Sequence, residues 1–557
     1  MGDNEKKSWE ELITAYSLKN AIEHDGKARE GSVISALFHE GLKKEDVSKI
    51  IKKVKEIVKE INSLSLEKQE KEFENYEKII SRRKERKGLK PLPNVGEKIV
   101  LRLAPFPSGA LHIGNAKTYL LNALYAEKYK GKLLLVIDDT IGSKEKRIVK
   151  EAYKLIPEAF DWLKVNYSKP IIYKSDRLKI YYRYAEKLIK LGKAYVCSCS
   201  QKKLQENRKK GVECSCRQFP PEEQLKRWKK MFKAKEGEYV LRIKTNMQHK
   251  NPAFRDRVLF RISEQEHPRV KKKYRVWPLL EFSWAIDDHL LGITHIIRGK
   301  DLMMETEMEK YIWDIFNWKH PEILHVGLVR IEGIEAKVSK SKAQKEVLSG
   351  ELSGWDDPRT WSIQSLRRRG FLPETLRKFV EEIGLNENDT LVPIESLYAL
   401  NRKFVDKIAN RYSFIQEPVK MEIEGSFFPK EVKVKIHPEK KRAKKIKINK
   451  TIFISKKDYE KYVGKKVRLM HFSDVKLKKD KIEMLVKEKK SLPKLNWVSD
   501  FVNVKVLMPS GKWVFGIAEK TIRDLKPKSI VQFERFGFAR FDRINDAGEY
   551  EFWFAHP

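Results

Sequence analysis

The stretch LRLAPFPSGALHIGNAKTYLLNALYAEKYKG, residues 101–131, joins an apolar run, a loop with two prolines and two glycines, and a helix-like segment that begins beside a histidine. A second apolar run, GKLLLVIDDT, follows at residues 131–140. Strand, loop, helix and strand in this order open a doubly wound α/β domain. We expect the first strand to end at Ala104 and the helix to run from about Gly114 to Lys130.

The loop at residues 105–115 follows the carboxyl end of the first predicted strand, where doubly wound sheets bind their ligands. Its small residues permit close approach to the backbone, and the N–H groups at a helix start suit a phosphate. His112 and Asn115 could add donors to phosphoryl oxygens as a transition state forms. Taken alone, the loop fits a turn with a capping histidine equally well.

Two further segments carry candidate site residues. Asp138 and Asp139 end the second predicted strand beside the same crevice and could hold an ammonium group or a ribose hydroxyl; a helix-capping turn is the alternative. In AKVSKSKAQ, residues 336–344, alternating lysine and serine could place an ammonium on the phosphates of ATP when a flexible loop closes. A solvated surface loop is the alternative for that segment.

The formal net charge of the 557 residues is +39, which points to a polyanionic partner, most often a nucleic acid. A heat-adapted surface explains many charges of both signs, but not so large an excess of one sign. No apolar run reaches the length of a membrane span, and the amino terminus lacks the apolar core of a signal peptide. We therefore expect a soluble, cytoplasmic protein that does not bind membranes.

All four cysteines of the chain lie in one short region, as Cys197, Cys199, Cys214 and Cys216. Four thiolates in two close pairs are typical of a structural Zn²⁺ site with no open coordination position. The C-x-C spacing is tighter than the common C-x-x-C. Four reduced thiols or a redox pair are the alternatives.

Several of these segments resemble a known family in co-linear order. HIGN and KVSKS are similar to the HIGH and KMSKS signatures of class I aminoacyl-tRNA synthetases. RLAPFPSGALHIGN, IDDT, GITHIIRGKDL, KVSKSK and GWDDPRTWSIQSLRRRGF resemble the archaeal-type glutamyl-tRNA synthetases, with the glutaminyl enzymes as close relatives. The resemblance implies ATP with Mg²⁺ as a substrate, L-glutamate, tRNA-Glu and a two-step reaction, with tRNA bound before activation. Whether tRNA-Gln is also charged stays open, and we expect a monomer.

The same resemblance assigns roles to individual residues. Arg102, Asp138 and Arg298 would bind glutamate, and the arginine at 298 separates the glutamyl from the glutaminyl pattern. The implied catalytic residues are His112, Asn115, Lys337, Ser339 and Lys340. The implied ATP site comprises Pro105, Ser108, Gly109, His112, Gly114, Asn115 and Lys340. The implied tRNA contacts are Arg367, Arg368 and Arg369.

Several positions depart from the family pattern: Phe106, Asn115, Leu280, Trp284 and the residues after Thr140 in DDTIG, where an acidic or amide residue and a proline are usual. Leu280 counts against glutamine as the substrate, because the glutaminyl enzymes have a tyrosine there. The glutamyl enzyme is the first hypothesis and the glutaminyl enzyme is the alternative. Phe106 and Trp284 alter the amino-acid pocket, and they motivate a third hypothesis, a catalytically inactive tRNA-binding paralogue.

The expected fold is multidomain, with a Rossmann-type α/β catalytic domain, helical domains and carboxyl-terminal all-β barrels. Short alternating runs after residue 410, such as VKMEIEG and KTIFIS, predict the barrel strands. The expected divisions are a helical appendage at 1–96, two catalytic halves at 97–190 and 280–345 that flank a zinc-bearing acceptor-stem insertion at 191–279, a helical tRNA-contacting domain at 346–410, and two anticodon-binding barrels at 411–557.

Overall fold

The computed structural model describes residues 8–24, 26–40, 42–76, 79, 88–141, 147–333, 340–425, 428–486 and 491–557. The chain divides into two compact units, Met1–Lys87 and Gly88–Pro557. In the first unit the described helices are α1 (Trp9–Glu23), α2 (Glu30–Leu37), α3 (Val47–Ile61) and α4 (Leu66–Tyr76).

The helices of the first unit follow from their sequences. Ser8 and Glu11 form a capping box at the start of α1, which satisfies N–H groups that the first turn leaves unpaired. The apolar positions of α3 recur at helical spacing, and four of them are buried: Val54, Ile57, Val58 and Ile61. The sequence prediction of an amphipathic helix at this place is confirmed.

The second unit opens with the predicted α/β pattern: β1 (Val100–Leu103), α5 (Ile113–Lys128), β2 (Lys132–Ile137), α6 (Ala152–Trp162), β3 (Ser168–Tyr173) and α7 (Leu178–Lys190). The three strands form a parallel sheet in the order β1-β2-β3. Strand β1 ends one residue before the predicted position, and α5 begins one residue earlier because His112 caps it.

An antiparallel sheet then interrupts the α/β unit. Its elements are β4 (Ala194–Cys197), α8 (Gln201–Lys210), α9 (Pro221–Met231), β5 (Val240–Ile243), β6 (Val258–Ile262) and β7 (Val276–Pro278). The strands pair in the order β4-β5-β6-β7.

The chain returns to the parallel unit through α10 (Leu280–Leu290), β8 (His295–Gly299), α11 (Met303–Ile315), β9 (Glu322–Val326), β10 (Val329–Ile331) and α12 (Lys340–Leu348). Strands β8 and β9 are parallel. The N–H of Thr294 donates to the carbonyl of Val100 at 3.0 Å, so β8 starts beside β1. The two halves of the α/β unit therefore meet at the β1–β8 boundary, where a doubly wound sheet forms its ligand crevice.

Helices dominate the next segment, which contains α13 (Ile363–Arg369), α14 (Pro373–Ile383), β11 (Thr390–Val392) and α15 (Ile394–Val405). Strand β11 pairs in parallel with β10, which connects this segment to the α/β unit.

The remaining chain is almost entirely β-structure. Its elements are β12 (Asn410–Tyr412), β13 (Phe414–Gln416), β14 (Pro418–Ile423), β15 (Glu431–Lys435), β16 (Ala443–Lys447), β17 (Thr451–Ser455), α16 (Lys456–Tyr462), β18 (Lys466–Leu469), β19 (Asp474–Leu477), β20 (Lys481–Leu485), β21 (Lys494–Leu495), β22 (Phe501–Leu507), β23 (Trp513–Glu519), β24 (Ile530–Phe533), β25 (Gly537–Ile544) and β26 (Tyr550–His556).

These strands form two large sheets and a hairpin. One sheet has seven strands in the order β12-β24-β25-β26-β22-β23-β13, the other has six in the order β17-β14-β20-β19-β18-β21, and β15 pairs with β16. Each sheet encloses its own apolar core, one around Val504 and Phe552 and the other around Ile454 and Val475. The predicted all-β, barrel-like carboxyl-terminal region is confirmed.

Candidate active site

A cavity of about 470 Å³ lies beyond the carboxyl ends of β1, β2 and β8. Strand ends, the loop before α5, one face of α5 and the start of α10 supply its walls. The lining includes Arg102, Phe106, Ser108, His112, Gly114, Asn115, Asn122, Asp138, Leu280, Trp284, Arg298 and Gln344. The structure therefore brings together most of the described residues that the sequence placed at the nucleotide and amino-acid sites, although Pro105 and Gly109 are not in the lining. The departing positions Phe106, Asn115, Leu280 and Trp284 all line the same cavity.

His112 is the N-cap of α5. Its Nδ1 accepts a hydrogen bond from the N–H of Gly114 at 3.1 Å, which fixes the ring at the helix start. Segment 361–363 holds the loop from the other side: Ile113 N donates to Trp361 O, and Ile363 N donates to Leu111 O. The helix dipole and the N–H groups at this end favour an anionic ligand.

Asn115 lies three residues after this cap, in the first turn of α5. Its Oδ1 is buried and has no hydrogen-bond partner among the described residues. Asn122, two turns further along α5, also has an unpartnered buried Oδ1, while its Nδ2 donates to the carbonyl of Ile297. Buried polar atoms are normally paired, so these two oxygens on the cavity wall are acceptors suited to a ligand.

Gly109 allows the loop to pass close to an aromatic side chain. Its φ is +141°, and a Cβ at this position would lie 2.1 Å from Cη2 of Trp355. Any other residue would displace either the loop or the indole. Trp355 precedes the segment that holds Ile113, so the loop before α5 is supported by the helical segment of the chain.

The ends of β1 and β8 present two buried arginines to the cavity. Arg102 forms a bidentate ion pair with Asp288, in which Nη2 lies 2.9 Å from Oδ2. Arg298 forms a second bidentate pair with Glu309, and its Nη2 also donates to Thr306. Each guanidinium is thereby oriented by a carboxylate behind it.

Asp138 and Asp139 belong to different environments. Asp138 lines the cavity and accepts hydrogen bonds from Trp284 Nε1 at 3.0 Å and from Thr140 Oγ1 at 3.2 Å. Asp139 is fully buried and accepts from the backbone and the hydroxyl of Ser175. Burial raises the pKa of Asp139, and the hydrogen bonds from Ser175 oppose this. Asp138 is thus the residue of the pair that faces a ligand.

The lysine and serine loop is only partly described. Lys337 and Ser339 lie outside the described residues, and Lys340 begins α12. Gln344, one helical turn after Lys340, is buried, lines the cavity, and donates to the carbonyl of Arg147 at 3.2 Å. Helix α12 therefore contributes Gln344 to the same crevice as His112.

The four cysteines form one cluster. Their Sγ atoms all lie within 4.8 Å of one another, and those of Cys197 and Cys214 are 3.6 Å apart. A hydrogen bond from Cys197 lowers the pKa of Cys214 to about 5. Tetrahedral Zn²⁺ with Zn–S bonds of about 2.3 Å separates its sulfurs by about 3.8 Å, so the donor set fits the metal.

Two arginines surround the cysteine cluster. Arg242 is only 1% exposed, and its Nη1 lies 3.9 Å from Sγ of Cys197 and 4.0 Å from Sγ of Cys214. Arg227 Nη2 lies 3.7 Å from Sγ of Cys216. A buried cation beside thiol sulfurs is stabilised when the sulfurs are ionised, as they are around a bound metal.

The three consecutive arginines of α13 have different surroundings. Arg367 is exposed. Arg368 pairs with Asp542 and Asp356, and its guanidinium lies 4.0 Å from the ring centre of Trp553. Arg369 is fully buried and donates to the carbonyls of Phe554 and Ala555. Only Arg367 presents its guanidinium openly to solvent.

Sequence reasoning did not identify several residues of this site. Asp288 lies 186 residues from Arg102 along the chain, whereas Glu309 lies on the next helix, 11 residues after Arg298. Trp355 lies on the segment that packs behind Gly109. Lys174 follows β3 and contacts Asp138. Of these residues, only Lys174 could have been predicted from the sequence as a site residue, because it directly follows a strand, as Asp138 does.

No helix among the described residues is long and apolar enough to cross a membrane.

Comparisons with known proteins agree with the geometry. Residues 98–407 match the catalytic domain of the class I tRNA synthetases (E and Q), and residues 409–491 and 477–542 match anticodon-binding domains of the same group. The chain is 42% identical to a glutamate–tRNA ligase of Pyrococcus furiosus over 96% of this chain and 98% of the relative. It is 39% identical to a glutamate–tRNA ligase of Methanocaldococcus jannaschii over 97% of this chain and 98% of the relative.

A solved glutamate–tRNA synthetase of Elizabethkingia anophelis shares 23% identity and a TM-score of 0.41 over 56% of this chain and 72% of its own; it adds nothing to the assignment. The extent of the family match and the near full-length relatives decide the question: the chain belongs to the class I tRNA synthetases of the E and Q group.

Proposed function

We propose that this protein is a glutamate–tRNA ligase. It activates L-glutamate with ATP to glutamyl-adenylate and pyrophosphate, and it transfers the glutamyl group to the 3′ end of tRNA-Glu. The observation that carries the proposal is the convergence of Arg102, Asp138 and Arg298 with the loop of His112 on one cavity.

In the first step an oxygen of the glutamate α-carboxylate attacks the α-phosphorus of ATP, and the bond to pyrophosphate breaks. Negative charge builds on the phosphoryl oxygens in the transition state. The N-terminus of α5 with His112, and the cation of Lys340 at the start of α12, are the groups assigned to stabilise it. ATP enters with Mg²⁺, which shields the phosphate charges.

The side chain of the amino acid is read by charge. Arg298 and Leu280 both line the cavity. Leucine has no hydroxyl group, so the side-chain amide of glutamine would lack the hydrogen-bond partner that a tyrosine at position 280 would supply. A carboxylate gains a charge-assisted hydrogen bond from Arg298, whereas a neutral amide gains less. Arg102 and Asp138 are assigned to the charged groups at the α-carbon.

Two partners complete the proposal. The four cysteines would hold one structural Zn²⁺, which would fix the fold of the insertion; the arginines beside them support an anionic thiolate cluster.

We assign the tRNA contact of α13 to Arg367, which is exposed, while Arg368 and Arg369 support the helix from inside.

The decisive experiment charges purified tRNA-Glu and tRNA-Gln with glutamate and, in parallel, with glutamine. Charging with glutamate alone supports the proposal, and the tRNA-Gln arm tells whether that tRNA is a second substrate. Charging with glutamine would replace the proposal by the glutaminyl reaction. Absence of ATP–pyrophosphate exchange with tRNA and either amino acid would identify an inactive paralogue.

A further inference from the structure

Strands β2 and β3 end in register at the cavity. Ile137 pairs with Tyr173, so Asp138 and Lys174 are the next residues on two adjacent parallel strands. Side chains at matching positions beyond the carboxyl ends of such strands come close together. Here the Nζ of Lys174 lies 3.3 Å from Oδ1 of Asp138.

The ammonium of Lys174 is completely enclosed. The side chain has 0% exposure, and Nζ donates to Ser283 Oγ at 2.8 Å. Nζ also lies 3.5 Å from the ring centre of Trp284. Burial lowers the pKa of Lys174, and the charge of Asp138 opposes this. The lysine is thus surrounded by a carboxylate, a hydroxyl and an indole face.

Trp284 also contacts a second cation. The guanidinium carbon of Arg102 lies 3.6 Å from the same ring centre. The indole ring therefore contacts two cations, the ammonium of Lys174 and the guanidinium of Arg102. Its Nε1 donates to Oδ2 of Asp138 at 3.0 Å, which fixes the rotation of the ring within its plane.

We infer that Lys174 is a positioning residue for the amino-acid site: it clamps Trp284 against Arg102 and aims the carboxylate of Asp138. The inference rests on the proposed function in that Arg102 and Asp138 are taken to bind the amino acid. Lys174 itself stands outside the described lining of the cavity, whereas Arg102, Asp138 and Trp284 belong to it. It acts through these three residues.

The clamp gives Trp284 a role at a position where the family pattern has a polar side chain. The indole donates the hydrogen bond that such a side chain could make to Asp138, and the two cations hold the larger ring in place. Loss of either cation frees the ring to rotate away from Asp138.

The test is the variant Lys174→Met, which keeps most of the length and removes the charge. We expect the KM for glutamate in tRNA charging to rise about tenfold, while the KM for ATP and the Kd for tRNA change less than twofold. Trp284→Phe keeps an aromatic face and removes the Nε1 donor. In the double variant with Lys174→Met, the two effects on the KM for glutamate should therefore be far from additive.

The matched control is Lys169→Met, because Lys169 lies 4.2 Å over the ring of Tyr167 outside the cavity. It should leave the KM for glutamate unchanged. If Lys174→Met does not fold, Ser283→Ala removes one partner of the ammonium and should raise the same KM about threefold.

An unchanged KM for glutamate in folded Lys174→Met, an equal rise in the KM for ATP, or additive effects with Trp284→Phe would overturn the inference. A purely structural lysine would lower the thermal midpoint and leave the ratio of the two KM values alone. If the wild-type protein charged glutamine, the proposed function would fail, and the same measurement on the KM for glutamine would still test the clamp.

Discussion

Arg298 and Glu309 form a buried bidentate ion pair, with Nη1 to Oε1 at 2.9 Å and Nη2 to Oε2 at 2.7 Å. Glu309 has no exposed surface, and Arg298 is 5% exposed. Burial raises the pKa of Glu309, and the charge of Arg298 opposes this. The arginine assigned to the substrate carboxylate therefore has a fixed orientation before any ligand binds.

The first prediction concerns this pair. Arg298→Met removes the cation assigned to the substrate side chain, so the KM for glutamate should rise by about a hundredfold, the value of a charge-assisted hydrogen bond of about 3 kcal/mol. It also leaves Glu309 without its partner, which should lower the free energy of unfolding by about 3–5 kcal/mol. Steady-state charging and denaturant unfolding measure the two effects.

The double variant Arg298→Met with Glu309→Leu separates stability from recognition. It removes both buried charges, so the free energy of unfolding should return towards the wild-type value. The KM for glutamate should stay high. A double variant that regains a normal KM would show that another residue reads the side chain.

Lys340→Ala should depress turnover far more than tRNA affinity. Its ammonium is assigned to phosphate charge that develops in the transition state, and Lys340 begins α12, the helix whose Gln344 lines the cavity. We expect kcat to fall at least about a hundredfold while the Kd for tRNA stays within threefold. The reverse pattern, with normal turnover and lost tRNA binding, contradicts the assignment.

Gly109→Ala should displace the nucleotide loop, because its Cβ would overlap the ring of Trp355 and the φ of +141° is strained for alanine. The KM for ATP should rise about tenfold or more, which corresponds to about 1.4 kcal/mol. Gly96→Ala is the control, since nothing lies within 4 Å of a Cβ there. Equal KM values for ATP in the two variants would rule out the displacement.

Metal analysis of the purified protein should find one equivalent of zinc. Cys214→Ser should abolish it, because a neutral hydroxyl replaces a thiolate ligand in a cluster whose sulfurs lie within 4.8 Å of one another. The loss should also make the region of β4–β7 sensitive to protease. If zinc-free protein resisted the protease as well as the zinc-bound protein does, the cysteines would be ordinary thiols without a structural metal.

His556 should make stability depend on pH. Burial lowers its pKa to about 4, and Nε2 accepts a hydrogen bond from Nδ2 of Asn401 in the neutral state. The unfolded chain binds the proton at higher pH than the folded chain. The free energy of unfolding therefore keeps its full value, as far as His556 is concerned, above pH 6.5. It falls by about 3 kcal/mol as the pH is lowered from 6.5 towards 4.

Denaturant unfolding between pH 4 and 8 measures this dependence. His556→Gln keeps an acceptor for Asn401 and removes the titrating ring, so its stability should fall less steeply between pH 6.5 and 4 than that of the wild type. Parallel curves for the two proteins would assign the pH dependence to other groups.

Much of the fold followed from local patterns. The run from β1 through α5 to β2 was predicted from apolar periodicity and from the loop between them, because these signals act over a few residues. The alternating runs after residue 410 predicted strands for the same reason. The pairing of those strands into a seven-stranded and a six-stranded sheet depended on contacts between distant segments, which periodicity does not encode.

The sequence by itself determined which chemical groups are available: a capped helix start with His112, a strand-end carboxylate at Asp138, two arginines, and four cysteines in close pairs. Only the tertiary structure decided which charges are neutralised and which remain for a ligand. Asp288 and Glu309 lie behind the arginines, Lys174 is enclosed beside Asp138, and Arg369 is buried against the last strand. The reason is physical: a buried charge must find its partner in space, and that partner is set by long-range packing rather than by neighbours in the chain.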